Sequence, residues 1–330
     1  MKLKAFIIIS FITFFSCKKE ETNIPVKLEG KAFGTTFHVT YFDEKQQDFT
    51  KEIDSLFNAI NKSLSTYIAD SDISKINEGD STILVDDYFI EVYEKSKRIY
   101  EETNGIFDPT IGVLVNAWGF GPVKADINPD STKVKELLQL VGFDKVLLKN
   151  RKISKISDSV YFDFNAIAKG YAVDIAGRFL EDQSIENYIV EIGGEIRTRG
   201  KNLTKNSAWT VGIEDPHFDG TRSFNKVIEL TDEAIATSGN YRKFKMDSIT
   251  GNRYVHILST KTGYPTVSNL LSVSVIGKID CADVDGYATA IMAMTLEEAI
   301  AFFESHKELK GFIIYNDENN ELKTFATSNF

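Results

Sequence analysis

Strand-like and helix-like stretches of this 330-residue chain follow one another without regular alternation, and that order constrains the fold more than any single residue does. Val26 to Tyr41 carries β-branched and aromatic residues in near alternation around Gly30 and Gly34, the pattern of a strand or hairpin. Phe49, Ile53, Phe57, Ile60 and Leu64 recur every three or four residues, which predicts a helix with one buried face. Further helices are predicted from Tyr88 to Thr103, stopping at Asn104-Gly105, and from a Ser131 cap to Val141. Short strands are expected around Val146, Ile153 and Tyr161. Asn165 to Leu180 reads as a helix, with an apolar stripe of Ile167, Ala168, Tyr171, Ala172, Ile175 and Phe179. Strands follow at 187–192, 208–213, 225–230, 253–258 and 271–276. Helices over Asp283–Met294 and Leu296–Phe303 and a strand at Gly311–Tyr315 close the chain. Regular alternation would give a doubly wound sheet; this order favours an α+β fold in one unit.

Apolar residues make up 42% of the chain, enough for a large core. A net charge of -10 argues against a nucleic-acid ligand, because phosphate backbones are held by clustered Lys and Arg. The two cysteines, Cys17 and Cys281, offer neither a disulfide framework nor a thiolate metal site. Cys17 has its own explanation. Lys2 and Lys4 precede an apolar run from Ala5 to Phe15, and Ser16 sets a small residue before the cysteine. That run spans roughly 16 Å as a helix, short of the roughly 30 Å hydrocarbon core. Residues 1–16 therefore read as a signal peptide, and Phe14-Phe15-Ser16-Cys17 resembles a bacterial lipoprotein processing site. Cys17 is the expected lipidation point, 17–25 a lipidated tether, and 26–330 the folded unit. The mature protein is then extracytoplasmic and anchored to a bacterial membrane by its lipid.

Several constellations can carry chemistry. Asp285 and Thr289 stand at i and i+4 of a predicted helix, so a carboxylate and a hydroxyl share one face, both oxygen ligands suited to Mg²⁺. On spacing alone, Asp283 or Asp285 could equally cap that helix while Thr289 packs inward. Asp163-Phe164-Asn165-Ala166-Ile167-Ala168-Lys169-Gly170 reads as a strand end and helix start, where Asn165 can cap and unpaired amides can seat a diphosphate. Gly193-Gly194, between Glu191 and Glu195, permits a tight turn or backbone contact with a flat ligand. His256 lies on a predicted strand, and Trp118 is either a ligand platform or a core aromatic. No Gly-x-Gly-x-x-Gly occurs, which excludes a Rossmann flavoenzyme that retains FAD for redox work.

Together, Gly34-Thr35-Thr36, Leu64-Ser65-Thr66-Tyr67, Gly105 through Thr110, Trp118-Gly119-Phe120-Gly121, Asp163 through Asp174, Val190 to Arg199, Ala236 through Arg242, His256-Ile257-Leu258 and Asp285 to Thr289 resemble, in order, the ApbE-type FAD:protein FMN transferases. The resemblance implies a non-Rossmann α+β catalytic unit that consumes FAD as a substrate. It implies Mg²⁺ held by Asp285, Thr289 and the backbone carbonyl of Ala166. It also implies an FAD pocket lined by Phe33, Tyr67, Ile106, Phe107, Asp108, Asp163, Lys169 and Leu258. Phe33 replaces the Met usual before Gly-Thr, Ser259-Thr260 replaces a common Asp-Pro, and Asn240 stands where Asp is frequent.

The implied reaction is attack of an acceptor Thr or Ser hydroxyl on the riboflavin-side phosphorus of FAD, with loss of AMP. His256 is the expected base, having the near-neutral reference pKa; Asp163 or Asp108 are alternatives. The implied acceptor carries a Ser/Thr-rich flavinylation motif and is a membrane redox-pump subunit or related electron-transfer protein. Competing readings are an FAD pyrophosphatase giving FMN and AMP, and a flavin-binding lipoprotein without chemistry. Replacement of Cys17 by Ser is expected to release the protein from membranes or block its processing. Fractionation and intact-mass measurement check this; unchanged processing and membrane attachment would contradict lipidation.

Overall fold

The computed structural model describes residues 23–123, 129–217, 221, 223–240, 244–246, 253–266 and 268–330. The proposed signal peptide, Cys17, most of the tether and the Tyr241-Arg242 pair lie outside them. In chain order the elements begin β1 (Val26–Ala32), β2 (Thr35–Tyr41), α1 (Thr50–Leu64), α2 (Asp72–Asn77), α3 (Asp87–Glu102), α4 (Gly112–Ala117), α5 (Ser131–Leu138), β3 (Val146–Lys149), β4 (Lys152–Lys155) and α6 (Ala168–Asp182). They continue with β5 (Tyr188–Ile192), β6 (Glu195–Arg199), β7 (Trp209–Glu214), β8 (Phe224–Leu230), β9 (Ala234–Gly239), β10 (Phe244–Met246), β11 (Arg253–Val255) and β12 (Leu270–Gly277). The last are α7 (Cys281–Met292), α8 (Leu296–Ser305), β13 (Lys310–Asn316) and β14 (Leu322–Ala326).

Eight strands form one antiparallel sheet in the order β1-β2-β5-β6-β9-β12-β13-β14. Along the middle of that sheet β6 meets β9 over two residue pairs only, Ile196 with Ile235 and Arg197 with Ala234. Helices α6 and α7 lie on one face, with α1 and α3 packed outside them, and the main core fills this space. The paired strands β7 and β8 cover the other face through Val211, Ile213 and Leu230, set against Ile196, Ile235, Ile276, Phe312 and Ile314. A third apolar cluster joins Leu114, Trp118, Val134, Val141 and Leu258.

Helix α7 is buried on nearly every side, because it is enclosed by the sheet, α6 and α3. Such a helix cannot satisfy its first amides with water. Asp174 on α6 does it instead, accepting from the Cys281 and Ala282 N–H groups at 2.8 Å each. Around this point Arg197 reaches Asp174 at 2.8 Å and Asp280 at 2.9 Å, and Lys95 and Arg178 reach Asp280 at 2.8 and 2.7 Å. Gly170 lets α6 approach: a Cβ there would lie 2.4 Å from the Cys281 carbonyl oxygen and 2.8 Å from the Asp285 Cβ.

The structure departs from the sequence reading at definite places. The segment at Tyr161 makes a single parallel bridge to Ile111 instead of a strand. Asp130, not Ser131, caps α5 by accepting from the Lys133 N–H, and that helix ends at Leu138. The stripe expected from Asn165 becomes helical only at Ala168, because the Asn165 N–H donates to Asp163 Oδ1 and the chain turns there first. Strand β11 stops at Val255, which leaves His256 just beyond it. Helix α7 starts at Cys281, two residues before the expected Asp283.

Gly170→Ala tests the helix contact. In an exposed helix this change adds about 1 kcal/mol of stability. Here the close approach of α7 is expected to reverse the sign, to a loss of about 2 kcal/mol in urea denaturation; a stabilised variant would contradict the packing.

Candidate active site

Three chain segments that are distant in sequence meet at one end of the α6–α7 pair. The first is the start of α6 with the turn before it. Lys169 extends to Glu195 with Nζ 2.5 Å from Oε1, and the Gly170 N–H donates to Asp285 Oδ2 at 3.0 Å. Ala166, partly buried, sits in the turn that leads into the helix. The second is the hairpin between β5 and β6. Gly193 and Gly194 take φ values of 63° and 108°, a left-handed turn that any Cβ would strain, and so deliver Glu195 inward as the first residue of β6. The third is α7, where Asp285 is buried and Thr289, one turn on, meets the Ser238 hydroxyl at 3.2 Å.

This arrangement decides the role of Asp285 within its helix. The helix start is held by Asp174 from outside, and the N-cap residue Asp280 makes no capping bond of its own. Asp285 is interior to α7 and faces α6, so it caps nothing. The diphosphate seat expected from unpaired amides also changes: the Gly170 N–H is spent on Asp285, and Gly170 serves the helix contact.

The remaining predicted residues surround this centre. Phe33, with φ of 50°, forms the β1–β2 turn and packs edge-on against Phe57 at 5.3 Å. Gly34 to Thr36 and Asn61 join it in lining a 600 Å³ depression. The Gly193 N–H donates to the Thr36 carbonyl at 3.1 Å, so this depression adjoins the hairpin that carries Glu195. Phe107 is buried against α7, where a side chain at Gly286 would lie 3.6 Å from its ring. Ile106 packs beside it, and Asp108 is buried and accepts from both the amide and the hydroxyl of Thr110. Asp163 is buried, with its N–H bound to the Pro109 carbonyl at 2.7 Å, and its charge acts on the exposed Tyr67 and on Tyr161. The Thr260 hydroxyl donates to the Gly105 carbonyl at 2.7 Å, which ties the segment after His256 to the 105–108 loop. His256 is half-buried, its ring 6.4 Å from that of Phe120. Leu258 belongs to the small apolar cluster around Trp118, and Trp118 is itself core, with Nε1 donating to the Gly263 carbonyl at 2.9 Å.

Glu195 and Asp174 escaped the sequence reading as site residues. The sequence offers Glu195 only as the residue after the paired glycines; its burial opposite Lys169 is the signal that matters, and spacing does not reveal it.

The chain matches the model of the ApbE family over residues 33–313. It is 35% identical to the FAD:protein FMN transferase of Vibrio cholerae serotype O1, covering 97% of this chain and 96% of that protein. With the Haemophilus influenzae FAD:protein FMN transferase the identity is 34%, over 97% and 94%. The solved structure of the flavin transferase ApbE from Vibrio cholerae superposes with a TM-score of 0.81 at 34% identity, covering 93% of this chain and 98% of that one.

Electrostatics single out Asp285. Burial raises its carboxyl from an ordinary 3.8 to about 7; the Lys169 ammonium offsets part of this, and the Glu195 and Asp174 carboxylates add to it. Burial likewise lifts Asp108 to about 6 against the Thr110 hydrogen bonds. A carboxyl with a raised folded value holds its proton longer in the folded state, so stability falls as pH rises between the unfolded and folded values. In EDTA the chain is therefore expected to lose stability from about pH 4 to about pH 7, with Asp285 contributing up to ~1.4 kcal/mol per pH unit. Asp285→Asn should flatten that slope. Urea denaturation across the window checks it, and an identical slope in the variant would refute the assignment.

Proposed function

This chain belongs to the ApbE family, and from that premise we propose that it transfers the FMN half of FAD to a Thr or Ser hydroxyl of a partner protein, with Mg²⁺ held by Asp285 and Thr289 and AMP as leaving group. It is an enzyme of the FAD:protein FMN transferase class, and protein flavinylation is its chemistry.

The observation that carries the metal reading is the buried Asp285 carboxylate. Two carboxylates, Asp285 and Glu195, face one ammonium, Lys169, and the Oε2 atom of Glu195 is buried without a hydrogen-bond partner among the described residues. That is one negative charge too many for an interior site, and a hard cation removes the excess. Among the described residues no group of three or more His, Cys, Asp or Glu side chains is arranged for a metal. Mg²⁺ accords with this, since it keeps waters and takes phosphate oxygens alongside one or two protein ligands. Thr289 Oγ1 and the Ala166 carbonyl are the other donors of this reading.

Asp285, Thr289 and the Ala166 carbonyl would hold the Mg²⁺, which would supply positive charge against that building on the diphosphate during transfer. The protein does the rest. Lys169 offers a fixed ammonium to the diphosphate, while Phe33, Tyr67, Ile106, Phe107 and Leu258 provide apolar surface for the rings, and Asp108 and Asp163 polar contacts at the pocket wall. His256 accepts the proton of the attacking hydroxyl as the new oxygen–phosphorus bond forms and the bond to AMP breaks. The same reading makes the protein a lipoprotein tethered through Cys17 on the periplasmic side of a bacterial membrane, where its acceptor is an electron-transfer protein.

Asp285→Ala and Asp285→Asn are each expected to lower transfer about 100-fold or more, with the fold retained because Asp174 holds the helix start. Thr289→Val is expected to cost about 10-fold, since water can replace a neutral ligand. EDTA should stop the wild type, and added Mg²⁺ should restore it. Mixing the soluble chain with FAD, Mg²⁺ and an acceptor, then weighing the acceptor by mass spectrometry, measures all of these. An active Asp285→Asn chain indifferent to EDTA would overturn the metal reading, and FMN plus AMP with an unmodified acceptor would make the chain a pyrophosphatase.

A further inference from the structure

We propose that Glu195 is a positioning residue whose task is to keep the Lys169 ammonium off Asp285, so that the Asp285 carboxylate stays open to a divalent cation. The inference rests on the metal reading above and adds a residue to it.

Lys169 and Asp285 are natural partners for each other. They lie on adjacent helices, at the one point where Gly170 brings those helices into contact. In a buried setting an ammonium and a carboxylate left together would pair, and a cation seeking the carboxylate would have to displace a covalently tethered rival. In the structure the ammonium is drawn elsewhere, onto Glu195 Oε1 at 2.5 Å. Among the described residues, Asp285 receives a hydrogen bond from the Gly170 N–H alone, on Oδ2. Although burial disfavours its charge, Lys169 is held above the ordinary lysine range by Asp285 and Glu195 together, so its field reaches Asp285 while its hydrogen bond goes to Glu195. Glu195 is well placed for this: it is buried, it is fixed at the start of β6 by the Gly193-Gly194 turn, and its Oε2 atom has no hydrogen-bond partner among the described residues. Only one of its oxygens is needed to retain the lysine.

The reading separates from a simple field effect through a double-mutant cycle. If Glu195 merely adds negative charge, Lys169→Met tightens cation binding by the same factor whether or not Glu195 is present. If Glu195 restrains the lysine, Lys169→Met matters only once that restraint is gone. The probe is Mn²⁺ alone, titrated into the whole chain without FAD and followed by electron paramagnetic resonance. We expect Glu195→Gln to weaken Mn²⁺ binding about tenfold and Lys169→Met in the wild type to change it less than about threefold. The Glu195→Gln/Lys169→Met pair should return to within about threefold of wild type. Equal factors for Lys169→Met in both backgrounds, or unaltered binding in Glu195→Gln, would overturn the proposal. Should Glu195→Gln fail to fold, Glu195→Asp, which keeps the charge but withdraws it from Lys169, replaces it with the same expected rescue. A wild type that binds no Mn²⁺ would instead sink the metal reading on which this rests.

Discussion

Two hydrogen bonds hold the architecture in register: the Asp174 carboxylate on the Cys281 and Ala282 amides. Helix α7 is too enclosed for its first amides to find water, and an uncapped buried helix start would leave several donors unsatisfied. Placing the cap on a neighbouring helix does more than satisfy them. It fixes where α7 begins relative to α6, and hence which residue of α7 stands opposite Gly170. That residue is Asp285. A cap supplied from within α7 would satisfy the same amides without setting this register.

The cap is costly in charge, and the surroundings answer it. Burial and the nearby Asp280 push the Asp174 carboxyl upward, while Arg197 and the two amides draw it down. Asp280 is held well below the usual carboxylate range, chiefly by Lys95, Arg178 and Arg197 acting against its burial. Because Lys95 comes from α3, Arg178 from α6 and Arg197 from β6, the network binds three elements to the start of a fourth. Pairs of this kind add little stability by themselves once desolvation is counted. Their value here is geometric, since each long side chain reaches only if its own element is correctly seated. The two ends of the α6–α7 contact thus differ in character: around Asp174 and Asp280 the charge is balanced by Lys95, Arg178 and Arg197, whereas Asp285 and Glu195 share the single ammonium of Lys169.

How much of this was legible in the sequence depends on what kind of interaction forms each part. Helices α1 and α3 and the β1–β2 hairpin were readable because each buries one face, and a single buried face imprints a period. Strand β6 was not, since its helix-facing positions are the buried Glu195 and the partly buried Arg197, both held in ion pairs, which inverts the usual alternation. Strand β9 is buried over its first residues and, Ile235 apart, built of Ala, Thr, Ser and Gly, and β14 is almost wholly exposed, so neither shows a pattern. In the site, the spacing of Asp285 and Thr289 and the turn at Gly193-Gly194 were both visible. Asn165 does not cap α6, because the chain turns through Asp163–Asn165 first and the helix begins only at Ala168, with Ile167 at its N-cap. Asp174 and Glu195 act across more than a hundred residues or between separate elements, and no local period records such a partner.

The narrow junction between β6 and β9 gives the site a second meaning. With two residue pairs joining them, the sheet is nearly two sheets side by side, one built before residue 200 and one after 233. Lys169 and Glu195 belong to the earlier half, Asp285 and Thr289 to the later. Whatever occupies the space between them therefore grips both halves and works as a staple across a seam that the backbone ladder leaves lightly sewn. By mass action, filling the site resists separation of the halves. On the proposed assignment, the substrate of the reaction would in this sense also be a structural component of the fold that consumes it.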